Sequence, residues 1–258
     1  MKSAVLYLID TAPDWFSIEM SDTDFLIGHA RAPKTPWAHK GLHLHIFGKE
    51  TPRVREQVPG TNLPCRCPER HIQGDQTFCL GLRYITVQSE EKARQWWEQL
   101  KQFIRCQGVA ELTRVWPVKQ ALDHGRAGEH HERALALAQK AGLEEEYASA
   151  RLGEHSWLTN LGLHLFDKKG KPINGRALCP RGCERRARGR FVRTLRKDCD
   201  KRQLLVDLAY SEQLRRKALD HYWQHVFASG EKCCRTMRGC RLAAHEDQVV
   251  ADTKKIAQ

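Results

Sequence analysis

Leu63-Pro64-Cys65-Arg66-Cys67-Pro68-Glu69-Arg70-His71-Ile72-Gln73-Gly74-Asp75-Gln76-Thr77-Phe78-Cys79-Leu80-Gly81-Leu82 is the stretch on which the reading of this chain turns. It closes a segment, residues 51–78, that carries Pro52, Pro59, Pro64 and Pro68 together with two glycines. Proline fixes φ and removes a backbone donor, so no regular helix or central strand is expected to run through this segment. An irregular loop of this length inside a compact domain is usually functional. The loop delivers Cys79 just ahead of a helix that opens near Ser89, and His71 stands eight residues upstream of the thiol. Most free cysteines are small buried hydrophobes. A thiol presented by a constrained loop beside a polar side chain is a candidate nucleophile.

Outward from the loop, the first fifty residues hold three apolar segments that read as strands: residues 4–9, 25–27 and 42–47. In the last of these, His43 and His45 alternate with Leu42, Leu44 and Ile46. Turn-rich pieces separate them, so an antiparallel meander is expected. After the loop, Ala93, Trp96, Trp97, Leu100, Phe103 and Ile104 recur at helical spacing behind a Ser89 cap, and the helix is expected to end near Gly108. Further helices are expected over residues 129–141, ending at Gly142, and over 204–226, where Leu214, Ala218, Tyr222 and Val226 form an apolar stripe. The class is therefore α+β. The expected organisation is a core over residues 1–110, a helical extension over 111–167 and a basic, cysteine-rich module over 168–258.

The chain's 258 residues allow one large domain or two modest ones. Hydrophobic residues at 41% with charged residues at 29% fit a folded protein rather than a disordered one. No apolar run approaches the ~18 residues of a membrane span, and the run after Met1 is too short for a signal peptide. A cytoplasmic location is expected, with no membrane partner. The net charge is +12, and residues 171–238 hold 18 Lys/Arg against 7 Asp/Glu, so the basic character belongs to the C-terminal third. Six of the ten cysteines fall there too: Cys179, Cys183, Cys199, Cys233, Cys234 and Cys240. In a reducing compartment such clusters read as metal ligands or catalytic thiols rather than disulfides.

Residue by residue, the loop resembles the active-site stretch of ubiquitin-conjugating enzymes, where His-Pro-Asn-Ile is followed by the catalytic Cys-Leu with the Asn eight residues before the Cys. With Cys79-Leu80 aligned, His71-Ile72 takes the place of Asn-Ile, and Glu69-Arg70 that of His-Pro. The bacterial branch of the family resembles it more sharply, with Cys-Pro-x-Arg-His-Ile, a short turn, and Phe-Cys-Leu-Gly. Cys67-Pro68-Glu69-Arg70-His71-Ile72 and Phe78-Cys79-Leu80-Gly81 follow that pattern, over a core of about residues 1–110. The resemblance implies that Cys79 accepts a ubiquitin-like protein from an activating enzyme as a thioester, and that a nucleophile of a protein substrate then attacks it. His71 would serve as an oxyanion donor or as a general base. No Gly-rich nucleotide loop occurs, so adenylation would belong to the separate activating enzyme. Relatives of this kind are encoded beside activating enzymes, ubiquitin-like proteins and deconjugases, often in antiviral defence clusters. Eukaryotic relatives begin with a helix that helps to bind the activating enzyme, whereas this chain is expected to begin with a strand.

Zinc needs four N/S ligands, and Cys179, Cys183, Cys234 and Cys240 are the expected set, with Cys233 and Cys199 as alternates. The arrangement resembles cysteine-rich segments that accompany bacterial ubiquitin-conjugating homologues. Cys65-Arg66-Cys67 is a weak metal or redox signal and reads better as two packed loop thiols. The run Arg185-Arg186-Ala187-Arg188-Gly189-Arg190 suits either nucleic acid or an acidic protein surface. Asp123-His124-Gly125-Arg126-Ala127-Gly128-Glu129-His130-His131 can ligate a metal or bring His124 to the thioester, but solvated helix-start residues explain it more simply. Two rival readings are a non-enzymatic zinc- and nucleic-acid-binding protein, and a thiol redox protein that lacks Cys-x-x-Cys.

Overall fold

Alternation of apolar and polar residues builds a four-stranded antiparallel sheet in the order β1-β2-β3-β4 in the computed structural model. The structure describes residues 2–81, 84–117, 120, 123–160, 180, 186–187, 190–191 and 199–256. Strands β1 (Phe16–Ser21), β2 (Phe25–Ala30), β3 (Leu42–Phe47) and β4 (Arg53–Glu56) pair in sequence, with His29 opposite His43 and Ile46 opposite Val54. Leu26, Ala30, Leu42, Leu44, Ile46 and Val54 point inward and are buried. The residues between them face outward, as the two-residue period of a strand requires. The expected meander is present. Strand β1 was not anticipated, and β4 with a 3-10 turn at Pro68–Arg70 lies inside the segment expected to be irregular throughout. Strand β4 is possible because residues 53–56 contain no proline, although Pro52 directly precedes them.

The chain begins with a helix, α1 (Ala4–Asp10), and not with the expected strand. Ser3 caps it, its hydroxyl accepting from the Leu6 N–H at 3.3 Å, and Ala4, Val5 and Leu8 form one buried face at helical spacing. A seven-residue apolar run is ambiguous between helix and strand until its cap and its partners are known. Those partners are the sheet and α2 (Glu90–Thr113), whose buried face holds Ala93, Trp96, Trp97, Leu100, Phe103 and Ile104. Each tryptophan also satisfies its ring N–H, Trp96 on the Pro52 carbonyl at 3.2 Å and Trp97 on the Leu8 carbonyl at 3.1 Å. Helix α2 runs past Gly108, which is used for close approach rather than as a stop. A Cβ there would lie 3.2 Å from both Pro36 Cδ and Thr35 Cβ. The helix ends five residues later, where Arg114 turns left-handed at φ 60°.

The fold divides into two compact units, Met1–Leu122 with Val226–Gln258, and Asp123–His225. The first contains α1, the sheet, α2 and, near the C-terminus, α7 (Arg241–Ile256). The second contains α3 (Ala127–Ala141), α4 (Glu144–Arg151), α5 (Trp157–Asn160), the two-residue strands β5 (Arg186–Ala187) and β6 (Arg190–Phe191), and most of α6 (Arg202–Ala228). Helices α3 and α6 fall where expected. The buried face of α6, however, carries Leu205, Leu208, Glu212 and Arg215, whereas Leu214, Ala218 and Tyr222 are half-buried. Asp123 is also buried and not solvated: Arg215 donates to it at 2.6 Å and to Glu212 at 2.6 and 2.9 Å. Buried charges persist only when paired in this way. His131 in α3 bonds the Tyr147 hydroxyl at 2.6 Å, and burial pushes its imidazole below its ordinary range. Among the described residues no helix is long and apolar enough to cross a membrane.

Candidate active site

The loop that presents Cys79 is folded back on itself by backbone hydrogen bonds. Cys67 and Ile72 exchange N–H and carbonyl groups at 3.0 and 3.2 Å. Phe78 donates to the Val54 carbonyl of β4 at 2.8 Å, and Cys79 donates to the His71 carbonyl at 2.8 Å. The register therefore sets the backbones of His71 and Cys79 side by side. The contact runs through the backbone of both residues. The His71 residue is left-handed at φ 54° and buried, and its imidazole meets the Trp116 ring edge-on at 4.8 Å. On the other side, Phe78 stacks on Phe103 of α2 at 4.7 Å. The turn between the two arms is held by Asp75, which accepts from the Thr77 N–H and hydroxyl at 3.1 and 2.7 Å and pairs with Arg53.

The Cys79 sulfur is half-buried and lies 3.5 Å from the Gly81 carbonyl. Burial pushes its thiol above the ordinary range, because the charged thiolate loses solvation, and the Gly81 backbone opposes this only in part. Such a thiol is protected from random oxidation. To act as a nucleophile, a thiol in this setting needs a base or a bound partner that removes its proton.

Residues that the sequence reading did not single out hold the loop in place. The Arg70 guanidinium, 1% exposed, donates from Nε to Gln107 Oε1 at 2.8 Å and from Nη1 to Glu111 Oε2 at 3.0 Å. Gln107 in turn donates to the Arg70 carbonyl at 2.7 Å. The signal was legible in principle, since Gln107 is a polar residue on the apolar face of a helix and Arg70 sits within the motif. Glu56 is buried as well and accepts from the Asn62 and Leu63 N–H groups at 2.9 and 3.1 Å, which fixes the first part of the loop.

Of the expected metal ligands, Cys179 and Cys183 lie outside the described residues. Cys234 and Cys240 belong to the first unit, and beside them stand Cys233 and Cys67. Cys65 is exposed and Cys67 buried, so they do not form a matched pair. His124 stacks on Tyr222 at 4.7 Å within the second unit. On the outer face of the sheet His29 and His43 stack at 4.4 Å, with Glu19 2.8 Å from His43 Nε2. The three side chains form a cross-strand polar cluster on this face, with both histidines half-buried.

Family models match two parts of the chain: one described as a prokaryotic E2 domain, over residues 15–118, and one described as a cysteine-rich domain C-terminal to an E2 domain, over residues 123–242. No curated protein and no solved structure matches the chain.

Proposed function

The chain belongs to the prokaryotic E2 family, carrying an E2 domain followed by its cysteine-rich domain, and from this we propose that it conjugates a ubiquitin-like protein through a thioester on Cys79. An E2 domain implies dealings with ubiquitin-like proteins and their activating enzymes in general. The observation that carries the more specific reading is the placing of Cys79, half-buried at the end of a loop pinned to both β4 and α2. In the reaction the Cys79 sulfur attacks the thioester carbonyl of the charged activating enzyme. The activating enzyme's thiolate leaves, and the Cys79 proton passes to it or to solvent. An amine of the protein substrate then attacks the new thioester, and the Cys79 thiolate departs. His71 would support both steps from the position the family gives to Asn, and antiviral defence is the setting that the resemblance suggests. The cysteine-rich domain can hold a metal, and thiolate ligands favour zinc.

The test mixes the full-length protein with ATP and with the activating enzyme and ubiquitin-like protein encoded beside it, followed by electrophoresis without reductant. Wild type is expected to form a thiol-sensitive adduct and Cys79→Ala none. Failure of wild type to charge while the activating enzyme itself charges overturns the reading. His71→Ala is expected to slow adduct formation on the order of 10²-fold, with His71→Asn recovering most of the rate.

A further inference from the structure

Cys67 belongs to the active-site loop, and Cys233, Cys234 and Cys240 to the segment that enters α7, yet all four lie in the first unit. The Cys67 thiol neighbours that of Cys234, and the Cys233 and Cys240 sulfurs lie 3.5 Å apart. The two segments are joined around them by polar contacts. Arg66 pairs with Glu231, Glu69 accepts from the Arg241 N–H, Arg114 donates to the Arg235 carbonyl at 2.8 Å, and Arg238 N–H donates to the Arg114 carbonyl at 2.7 Å.

The Arg235 N–H is directed at the Cys233 sulfur at 3.3 Å, and the Cys234 sulfur lies 3.1 Å from the Thr236 hydroxyl. Donors directed at sulfur favour its charged form, and they serve as the outer shell where a thiolate is a metal ligand. Arg235 at φ 59° and Gly239 at φ 64° are left-handed turns within the segment that carries Cys233, Cys234 and Cys240. Among the described residues no three of these sulfurs lie within 4.8 Å of one another. Closing on an ion therefore takes a side-chain rotation between staggered wells.

We propose that Cys67, Cys233, Cys234 and Cys240 ligate one zinc ion, which clamps the active-site loop of the E2 domain to the segment leading into α7. Four soft thiolates suit tetrahedral zinc at ~2.3 Å, and each thiol that enters the shell releases its proton to solvent. The clamp grips the loop one residue before the 3-10 turn that leads to His71, so the metal would fix the loop bearing Cys79 without touching the reacting atoms. The assignment replaces Cys179 and Cys183 by Cys67 and Cys233, and rests on the E2 reading only for what the clamp does.

Metal content tests the assignment without any thioester chemistry. Full-length protein purified with zinc in the medium is analysed by plasma mass spectrometry. It is then treated with an alkylating reagent before and after chelation, and the labelled cysteines are mapped. At least one zinc per chain is expected, with Cys67, Cys233, Cys234 and Cys240 shielded until chelation and Cys65 labelled throughout. The Cys179→Ser/Cys183→Ser variant should keep that protection, and Cys67→Ser should lose one zinc equivalent. Because Cys67→Ser is prone to misfold, the wild-type map decides independently. Zinc-free protein, labelling of Cys67 without chelation, a Cys233 to Cys240 disulfide, or loss of the protection in the Cys179→Ser/Cys183→Ser variant each overturns the proposal.

Discussion

Arg70 carries its charge to a position that is 1% exposed, and it does so because every side of the guanidinium has an acceptor. Removing such a group leaves Gln107 with a buried, unanswered carbonyl oxygen and frees the loop from α2. Arg70→Ala is therefore expected to destabilise the first unit by about 2–3 kcal/mol in a urea melt, and to slow Cys79 charging beyond that loss of stability. Arg70→Lys should recover little, since one ammonium cannot answer Gln107 and Glu111 in the geometry of the planar fork. A melt of Arg70→Ala that superimposes on wild type would show that the pair contributes nothing. The candidate residues came from a motif rather than from spacing alone: Cys79 and His71 stand eight apart within a pattern that resembles the conjugating-enzyme loop, and the structure sets their backbones side by side through the bond from the Cys79 N–H to the His71 carbonyl. The pairing of Arg70 with Gln107 was not read, because it spans 37 residues; the local trace of it was Gln107, a polar residue on the apolar face of α2.

At the scale of elements, Gly108 was read as an end and serves as a door. Glycine in a helix costs about 1 kcal/mol relative to alanine, and the close approach of Thr35 and Pro36 explains why it is tolerated. Gly108→Val should force that contact apart and lower the thermal midpoint by the equivalent of about 1–3 kcal/mol. A gain in stability would mean that the segment at Thr35 yields freely. Periodicity located α2, α3, α6, β2 and β3, whose buried faces are long or cleanly alternating. It failed at α1, where a short apolar run reads either way, and at β1, where five of the six residues are exposed and give no inward signal. The stripe chosen on α6 was apolar by composition. The buried face instead holds Glu212 and Arg215, which a rule based on hydrophobicity passes over because it cannot see that Arg215 pairs with both Glu212 and Asp123.

At the scale of the whole molecule, the second unit buries a charged cluster beside its apolar core and should be sensitive to acid. Burial lowers the His131 imidazole in the folded state, so the neutral ring is favoured by folding. Its contribution is complete above the unfolded value of ~6.5 and is lost as pH falls through the lower folded value. Protection factors of the α3 and α4 amides, corrected for the intrinsic exchange rate at each pH, should therefore fall between pH 7 and pH 5, and His131→Gln should flatten that dependence. Unchanged protection across the range would place the imidazole outside the folding equilibrium. The path of the chain has a consequence for synthesis. Because the first unit is completed only by Val226–Gln258, a ribosome releases Cys67 long before its partners around Cys234. At about 5–20 residues per second the interval is roughly ten to thirty seconds, during which the nascent first unit lacks its closing segment and must be kept from its neighbours on the polysome.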